Sequence, residues 1–355
     1  MTSQSLRARR VMERADVARK IRVALMTIAM FAVVAAILSP LAQMALSSVK
    51  SKEQISQAYS PVLPSDPRTY AHDGETYDVY RVPIDGEERE LALVKKGRTE
   101  SEFIDPDNPG RGPITWQGSW RNLEPSWTLA PKWSNYAEVW GLIDYPRLLF
   151  NTVALAVIST IGTVISCTLV AYGFARFRFP GRGPLFTLLI ATVFLPTAVT
   201  LIPTYTVYAQ IGWVGTWLPL LVPTFFGNAY NVFLLRQYFM TIPRAMDEAA
   251  SIDGAGPLRT LVSVIVPQAW PAITAVTLFN FVYTWNDYFT PLIYLSGQPD
   301  LQPLQVGLAA FNGLFYTNPA YIQAGTMMTI AVPVVLFVFF QRTFVRGIMA
   351  TGVEK

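Results

Sequence analysis

Long uncharged segments alternate with short charged ones along this chain. Runs without Asp, Glu, Lys or Arg extend over 23–49, 148–175, 183–235, 260–286 and 301–341. About 20 apolar residues cross a bilayer as a helix, so most of these runs are long enough to span. The run 183–235 has room for two crossings, because IGWVGTW at 211–217 supplies glycines and interfacial tryptophans for a turn. The pattern predicts six spans, at 23–48, 149–173, 184–209, 217–238, 268–294 and 325–345.

Composition supports this pattern. Of the 355 residues, 52% are hydrophobic and only 15% are charged, which favours a membrane protein over the soluble domains that the length alone would suggest. The first apolar run is too long for a signal-peptide core and no convincing cleavage site follows it, so we expect it to be retained. The predicted fold class is an all-α polytopic membrane protein with a small β-rich extracytoplasmic insertion between helices 1 and 2.

Lys and Arg mark the cytoplasmic loops of membrane proteins. In this chain they concentrate in the tail 1–22, the loop FARFRFPGR, the loop 236–259 and the C-terminal tail. The tail residues are Arg7, Arg9, Arg10, Arg14, Arg19, Lys20 and Arg22 at one end and Arg342, Arg346 and Lys355 at the other. The loops 210–217 and 295–324 contain neither Lys nor Arg, so both termini are predicted to be cytoplasmic. The net charge of +4 reflects these loops and requires no nucleic-acid surface.

The long loop 49–145 is predicted to hold a β-rich module at about 59–125. The segments 76–82 and 89–96 alternate as strands around an Asp-Gly turn at 84–87, and 115–120 offers a third strand. The module could dock an external partner, or it could be a lid or spacer. Its tryptophans, Trp116, Trp120 and Trp127, could stack on a sugar or anchor in the membrane interface.

The predicted divisions are a basic cytoplasmic tail 1–22, helix 1 at 23–48, the extracytoplasmic loop 49–145, and a core domain 146–355 that contains the cytoplasmic loop 239–259. WSNYAEVW at 133–140 is typical of a short amphipathic helix that leads into the second span.

The stretch EAASIDGAG at 248–256 predicts a short helix with defined ends. Pro243 suits a helix start, and Asp247 and Glu248 lie near the positive end of the helix dipole. Gly254 stands where a helix ending needs a left-handed residue, and Gly256-Pro257 prevents continuation. A helix of about three turns is unstable alone in water, so it must pack on its own bundle, on the membrane or on a partner.

EAASIDGAG followed by VSVIVP resembles the EAA signature of binding-protein-dependent ABC import permeases: Glu-Ala-Ala, three variable residues, Gly, and later an apolar-Pro pair. Gly254 and Pro267 occupy the matching places, with Val266 where Leu is commoner. WNDYFTPLIYL (285–295), PLQVGLAAF (303–311) and the tail 341–355 are similar to maltose-type carbohydrate permeases of this superfamily. The resemblance covers the first span and nearly everything from about 126 to 355.

This resemblance implies that the short helix is a coupling helix, which seats in a groove of an ATPase subunit. Glu248 would meet basic residues of that subunit and Gly254 would make the turn. The coupling residues expected from the motif are Met246, Asp247, Glu248, Ala249, Ala250, Asp253 and Gly254. The resemblance further implies a second homologous permease, two ATPase subunits that carry ATP and Mg, an extracytoplasmic solute-binding protein, and the cytoplasmic membrane of a prokaryote.

The chain itself has no phosphate-binding loop of the form G-x-x-x-x-G-K-[ST], so no bound cofactor is predicted. A single His72 and a single Cys167 leave no metal-binding set. Asp287 is the only acidic residue within a predicted span, which makes proton-coupled secondary transport a weak alternative. A membrane sensor that uses the β module as its receptor is a third possibility.

Polar residues in spans four and five are candidates for a translocation path: Asn228, Asn231, Asn280, Tyr283, Trp285, Asn286 and Asp287. The alternative is structural, since buried amides also join helices and WND could be a helix break. Pro196, Pro203, Pro219 and Pro223 are expected to kink spans three and four. The resemblance to carbohydrate permeases implies the function of a non-catalytic permease subunit that carries a sugar, oligosaccharide or polyol by alternating access. A non-sugar solute is the alternative.

Overall fold

The computed structural model describes the backbone of residues 3–57, 60–84, 86–313 and 317–352, and within these segments the side chains of 19–341 except at 197. The chain divides into two compact units, Met1–Tyr136 with Asn318–Met327, and Ala137–Thr317 with Met328–Lys355. Some residues of the predicted turn and of the basic tails lie outside the described part. They are Asp85 and the side chains of Arg7, Arg9, Arg10, Arg14, Arg342, Arg346 and Lys355.

The first unit begins with the long helix α1 (Ser3–Ser48) and the short helix α2 (Lys52–Ser56). The basic segment therefore continues into the apolar helix without a break from Ser3 onward. A polar network holds the chain after α1: the buried Gln54 side chain donates to the carbonyls of Pro61 and Leu63, at 3.0 and 2.7 Å. Buried amides need such partners, so this segment has one well-defined path.

Within the described residues, the β module contains eight strands: β1 (Ser65–Pro67), β2 (Thr69–His72), β3 (Glu75–Ile84), β4 (Glu87–Lys95), β5 (Glu100–Ile104), β6 (Ile114–Gln117), β7 (Glu124–Pro125) and β8 (Trp127–Leu129). Strands β2 to β6 form a sheet in sequence order, β7 pairs with β3, and β1 pairs with β8. The predicted hairpin is confirmed as the antiparallel pair β3–β4, and β6 is the predicted third strand. The remaining strands are too short for alternation to reveal.

The core of the module is formed by Val82, Leu91, Leu93 and Phe103. Trp116 packs edge-on against Phe103, and Trp120 packs against Tyr80. Both tryptophans thus contribute to the packing of the module, a role that is neither sugar stacking nor membrane anchoring. The docking and spacer hypotheses for the module stay predictions.

The regular elements described after the β module are helices: α3 (Ser134–Leu142), α4 (Tyr145–Arg176), α5 (Arg182–Ala191), α6 (Thr197–Gln210), α7 (Leu218–Leu221), α8 (Ala229–Thr241), α9 (Arg244–Ile252), α10 (Pro257–Thr260), α11 (Val266–Gln268), α12 (Trp270–Asn286), α13 (Phe289–Tyr294), α14 (Leu304–Ala309) and α15 (Pro319–Gly352). A π-helical turn, Leu261–Ile265, joins α10 to α11, and a 3₁₀ turn, Val222–Phe226, follows α7. Helix α3 is the predicted amphipathic helix before the second span.

Within the described residues, four helical segments are long and apolar enough to cross a membrane: Arg19–Ser48, Tyr145–Arg176, Leu218–Thr241 and Pro319–Gln341. Two bent pairs raise the number to six if each is one span: Arg182–Phe194 with Ala198–Gln210, bent by 101°, and Pro257–Gln268 with Trp270–Asn286, bent by 83°. Pro196 lies at the first bend and Pro271 just after the second, where a missing N–H allows the helix to break.

The helix predicted to run continuously over 268–294 is interrupted in the structure. Helix α12 ends at Asn286 and α13 starts at Phe289. The Asp287 carboxylate accepts the backbone N–H of Thr290 at 3.2 Å, a local bond that competes with helical bonding. WND is therefore a helix break, as one of the two interpretations held.

Helices α4, α8 and α12 pack together to form the core of the second unit. Small residues of α4, including Cys167 and Ala171, meet Val232 and Leu235 of α8 and Val276 of α12. Gly162 allows the turn Val222–Phe226 to approach α4, because a Cβ there would lie 2.7 Å from the Thr224 hydroxyl oxygen. This close approach sets one wall of the cavity described below.

Candidate functional site

Helix α9 is the short helix predicted in the loop 239–259, and its C-terminal end is closed by two backbone bonds. The N–H of Gly254 donates to the Ser251 carbonyl at 3.1 Å, and that of Ala255 donates to the Ala250 carbonyl at 2.9 Å. Gly254 has a φ of +78°, which is the left-handed region. These features form a Schellman motif, so the helix ends within the loop as Gly254 predicted.

The two faces of α9 differ in chemistry. On the inner face, Met246 packs against the core of α4, α8 and α12, and Ala250 is buried. On the outer face, Ala245, Glu248 and Ile252 are exposed, and Ile252 retains 86% of its accessible surface. Since these three positions follow helical spacing, they form one continuous outer stripe.

The predicted coupling residues therefore divide into two groups. Those exposed are Glu248, Ala249, Asp253 and Gly254, and those turned toward the bundle are Met246, Asp247 and Ala250. Ile252 was not among the predicted residues, although it follows Glu248 by four positions and so lies on the same face. Ile252 is therefore an exposed apolar side chain on the same face of α9 as the Glu248 carboxylate.

An ion pair joins α9 to the end of α4. Arg176 Nε lies 3.2 Å from Asp247 Oδ2, and the two side chains are only 8% and 22% exposed. The approach lacks the alignment of a hydrogen bond, and neither Asp247 oxygen has a donor among the described residues. Arg176 also donates to the Ile242 carbonyl at 2.9 Å. One guanidinium thus connects the ends of α4 and α8 with the inner face of α9.

A second site is a cavity of about 290 Å³ between α4, α12, and the segment from α7 to Asn228. Its polar lining consists of Thr152, Ser159, Thr163, Thr224, Asn228, Asn280, Tyr283, Thr284, Asp287 and Thr290. Ser159 and Thr163 lie on one stripe of α4, because they are separated by one helical turn. Leucines and prolines complete the wall, including Leu155, Pro219 and Pro303.

Hydrogen bonds across the cavity fix its shape. The Asn280 amide donates to the hydroxyls of Ser159 and Thr160, both at 3.3 Å. The Ser159 and Thr284 hydroxyls lie 3.2 Å apart. These contacts bridge α4 and α12, so polar groups of two helices are held at the same level.

The structure separates the predicted path residues into two groups. The cavity is lined by Asn228, Asn280, Tyr283 and Asp287 and is not lined by Asn231, Trp285 or Asn286. Trp285 is fully buried, and the Asn286 side chain donates to the Val282 carbonyl at 2.8 Å. Asn228 also caps α8, since its side chain accepts the N–H of Asn231 at 2.9 Å. The hydroxyls of α4 were missed because Ser and Thr are common in membrane helices.

The profile of the family described as "binding-protein-dependent transport system inner membrane component" matches residues 162–349. The osmoprotective compounds uptake permease protein GgtD of Synechocystis is 36% identical over 222 residues, which are 62% of this chain and 74% of that protein. The alpha-glucoside transport system permease protein AglG of Rhizobium meliloti is 31% identical over 229 residues, which are 62% of this chain and 60% of that protein.

The fold is similar to that of a chain in the crystal structure of a bacterial ABC transporter involved in the import of the acidic polysaccharide alginate. The TM-score is 0.63, the sequence identity is 20%, and the match covers 92% of this chain and 98% of the other. At this level of identity the likeness concerns the fold alone.

Proposed function

Because this chain belongs to the family of binding-protein-dependent ABC transporter permeases, we propose that it is one of two membrane subunits of an ATP-driven importer for a carbohydrate. The AglG relative, whose name specifies alpha-glucoside transport, supports the sugar class. A non-sugar solute is the second candidate, because GgtD is named for osmoprotective compounds.

The outer face of α9 is the observation that carries the ATP-driven part of the proposal. It presents one acid, Glu248, beside the exposed Ile252 on a helix too short to be stable in isolation. The inner face already packs on the bundle, so the outer face is free for another subunit. We propose that it seats on an ATPase subunit, with Ile252 as the apolar anchor and Glu248 as the charged contact.

The same proposal includes a topology. The four helical spans and the two bent pairs make six crossings, with both termini and α9 cytoplasmic and the β module outside the inner membrane of a prokaryote. The Lys and Arg distribution supports this orientation, since the loops assigned to the outside have few basic residues or a net negative charge.

Transport would proceed by alternating access. ATP and Mg would bind to the partner ATPase subunits, and this chain would hold no cofactor and catalyse no reaction. A loaded binding protein outside and ATP inside would each favour one state of a two-state bundle, through contacts that differ between the states. A second homologous permease would complete the pathway that this chain half encloses.

Purification of the tagged chain from its native membrane in mild detergent tests the proposal. An ATPase subunit should co-purify with the wild type. Glu248→Lys and Ile252→Asp should each weaken its retention by about tenfold or more, since a hot-spot residue of an interface costs about 2 kcal/mol or more and about 1.4 kcal/mol is already tenfold. Glu88→Lys, the same charge reversal at an exposed position of the β module, is the matched control. Full retention of the ATPase by both α9 variants would refute the assignment.

A further inference from the structure

The cavity between α4 and α12 has many neutral polar groups and one charge. Hydroxyls and amides line it from both helices, and Asp287 is the only charged side chain among the described lining residues. No Lys or Arg contributes to the wall in that part of the chain. These lining groups determine which kind of solute the cavity can bind.

Neutral sugars need hydrogen-bond partners that can both donate and accept. Hydroxyls of Ser, Thr and Tyr do both, and an amide offers two donors and an acceptor. The Asn280 amide nitrogen is used by Ser159 and Thr160, whereas its oxygen makes no bond within the described residues. Tyr283 adds an aromatic face beside these groups, and it is exposed in this chain. The lining therefore matches a polyhydroxylated solute with an apolar ring face.

The Asp287 carboxylate determines the charge of the cavity. Its Oδ1 accepts the N–H of Thr290 at 3.2 Å, which fixes the side chain beside the cavity. Within the described residues it forms no ion pair. A second anion placed in this cavity would be repelled, because like charges a few ångströms apart repel each other more strongly beside protein than in bulk water.

We propose that this cavity admits neutral polyhydroxylated solutes and rejects their phosphorylated or carboxylated counterparts, with Asp287 as the discriminating residue. The inference rests on the proposed function, since it names the class of solute that the importer carries. A neutral solute can also donate hydroxyl protons to the carboxylate, so the same group that repels an anion binds a sugar.

Two probes that share one ring test the inference. Methyl α-D-glucopyranoside is neutral, and α-D-glucose 1-phosphate carries phosphate on the same anomeric oxygen. Binding of each to the assembled transporter in nanodiscs is measured by saturation-transfer NMR, which detects weak ligands. We expect the wild type to bind the neutral probe at least about tenfold more tightly than the phosphate, from the repulsion of one nearby charge.

Asp287→Asn keeps the acceptor for Thr290 and removes the charge, so it should bind the phosphate probe about tenfold better than the wild type. Asp107→Asn removes one negative charge from an exposed position of the β module and should change neither affinity. Equal binding of the two probes by the wild type, absence of binding of both, or an unchanged phosphate affinity in Asp287→Asn would each overturn the inference. Loss of the ATPase subunit from the wild-type complex would instead refute the proposed function.

Discussion

Replacing either partner of the ion pair between Arg176 and Asp247 is expected to loosen α9. At 3.2 Å and an effective dielectric constant of about 20, the attraction is about 5 kcal/mol before the desolvation of both charges is subtracted. Removing one partner of a buried pair costs about 3–5 kcal/mol, because the remaining charge loses its compensation. The two substitutions should nevertheless differ.

Arg176→Gln should have the larger effect. It leaves the Asp247 carboxylate without a cation, and neither of its oxygens has a hydrogen-bond donor among the described residues. Asp247→Asn leaves Arg176 bound to the Ile242 carbonyl, so part of its compensation remains. We expect a cost of about 3 kcal/mol for Arg176→Gln and about half of that for Asp247→Asn.

Hydrogen exchange of the α9 amides measures this cost in the assembled transporter. A local cost of about 3 kcal/mol corresponds to roughly 100-fold faster exchange of α9 in Arg176→Gln. The hairpin β3–β4 should exchange as in the wild type and serves as the internal reference. Substrate-stimulated ATP hydrolysis should fall more in Arg176→Gln than in Asp247→Asn, because α9 would no longer move together with α4.

The double variant Arg176→Gln with Asp247→Asn separates charge from packing. It carries no unpaired charge, so α9 should exchange more slowly than in Arg176→Gln alone. If the effects of the two single substitutions simply add, or if Arg176→Gln leaves the exchange of α9 unchanged, the ion pair does not hold the helix.

Two further predictions concern the end of α9 and the β module. Gly254→Val should reduce ATP-dependent uptake while membrane insertion stays normal, because a Cβ at this position meets no atom within 4 Å and the cost arises from the φ of +78° alone. Gly256→Ala, at a φ of −71°, is the control. Equal uptake by both variants would contradict the reasoning. In the module, hydrogen bonds from Ser126 and Arg68 lower the pKa of Glu90 below its ordinary 4.5. The ionised Glu90 therefore stabilises the fold above pH 4.5, and this stabilisation is lost as the pH falls through the lowered pKa. Ser126→Ala should therefore raise the pKa of Glu90 and move this loss to higher pH, which a carboxyl ¹³C titration checks; an unchanged pKa would argue against the bond.

Local signals explain what could be predicted from the sequence. Gly254 ends α9 because the left-handed region is open to glycine wherever it occurs in a chain. The hairpin β3–β4 was predictable because its strands are adjacent and alternate. By contrast, β1 pairs with β8 about 60 residues away, and strands of two or three residues carry no periodic signal.

The candidate sites show the same division. Residue type alone identified Asp287 and Asn280 as unusual within apolar segments, because polar groups in a membrane need partners. It could not tell that Asn280 bonds to Ser159, or that Trp285 turns away from the cavity into a fully buried position. Which side of α12 faces the cavity depends on how α4 and α8 pack around it.

The amino-acid sequence by itself determined the apolar segments, the short helix at Arg244–Ile252 and its ending, because these depend on residues within a few positions of one another. Only the tertiary structure decided that Asp247 turns inward to Arg176, 71 positions earlier in the chain, while Ile252 stays exposed. The physical reason is that a helix has a fixed periodicity, but the direction of its faces is set by long-range packing. The division of α9 into an anchored face and a free face is therefore a property of the folded bundle.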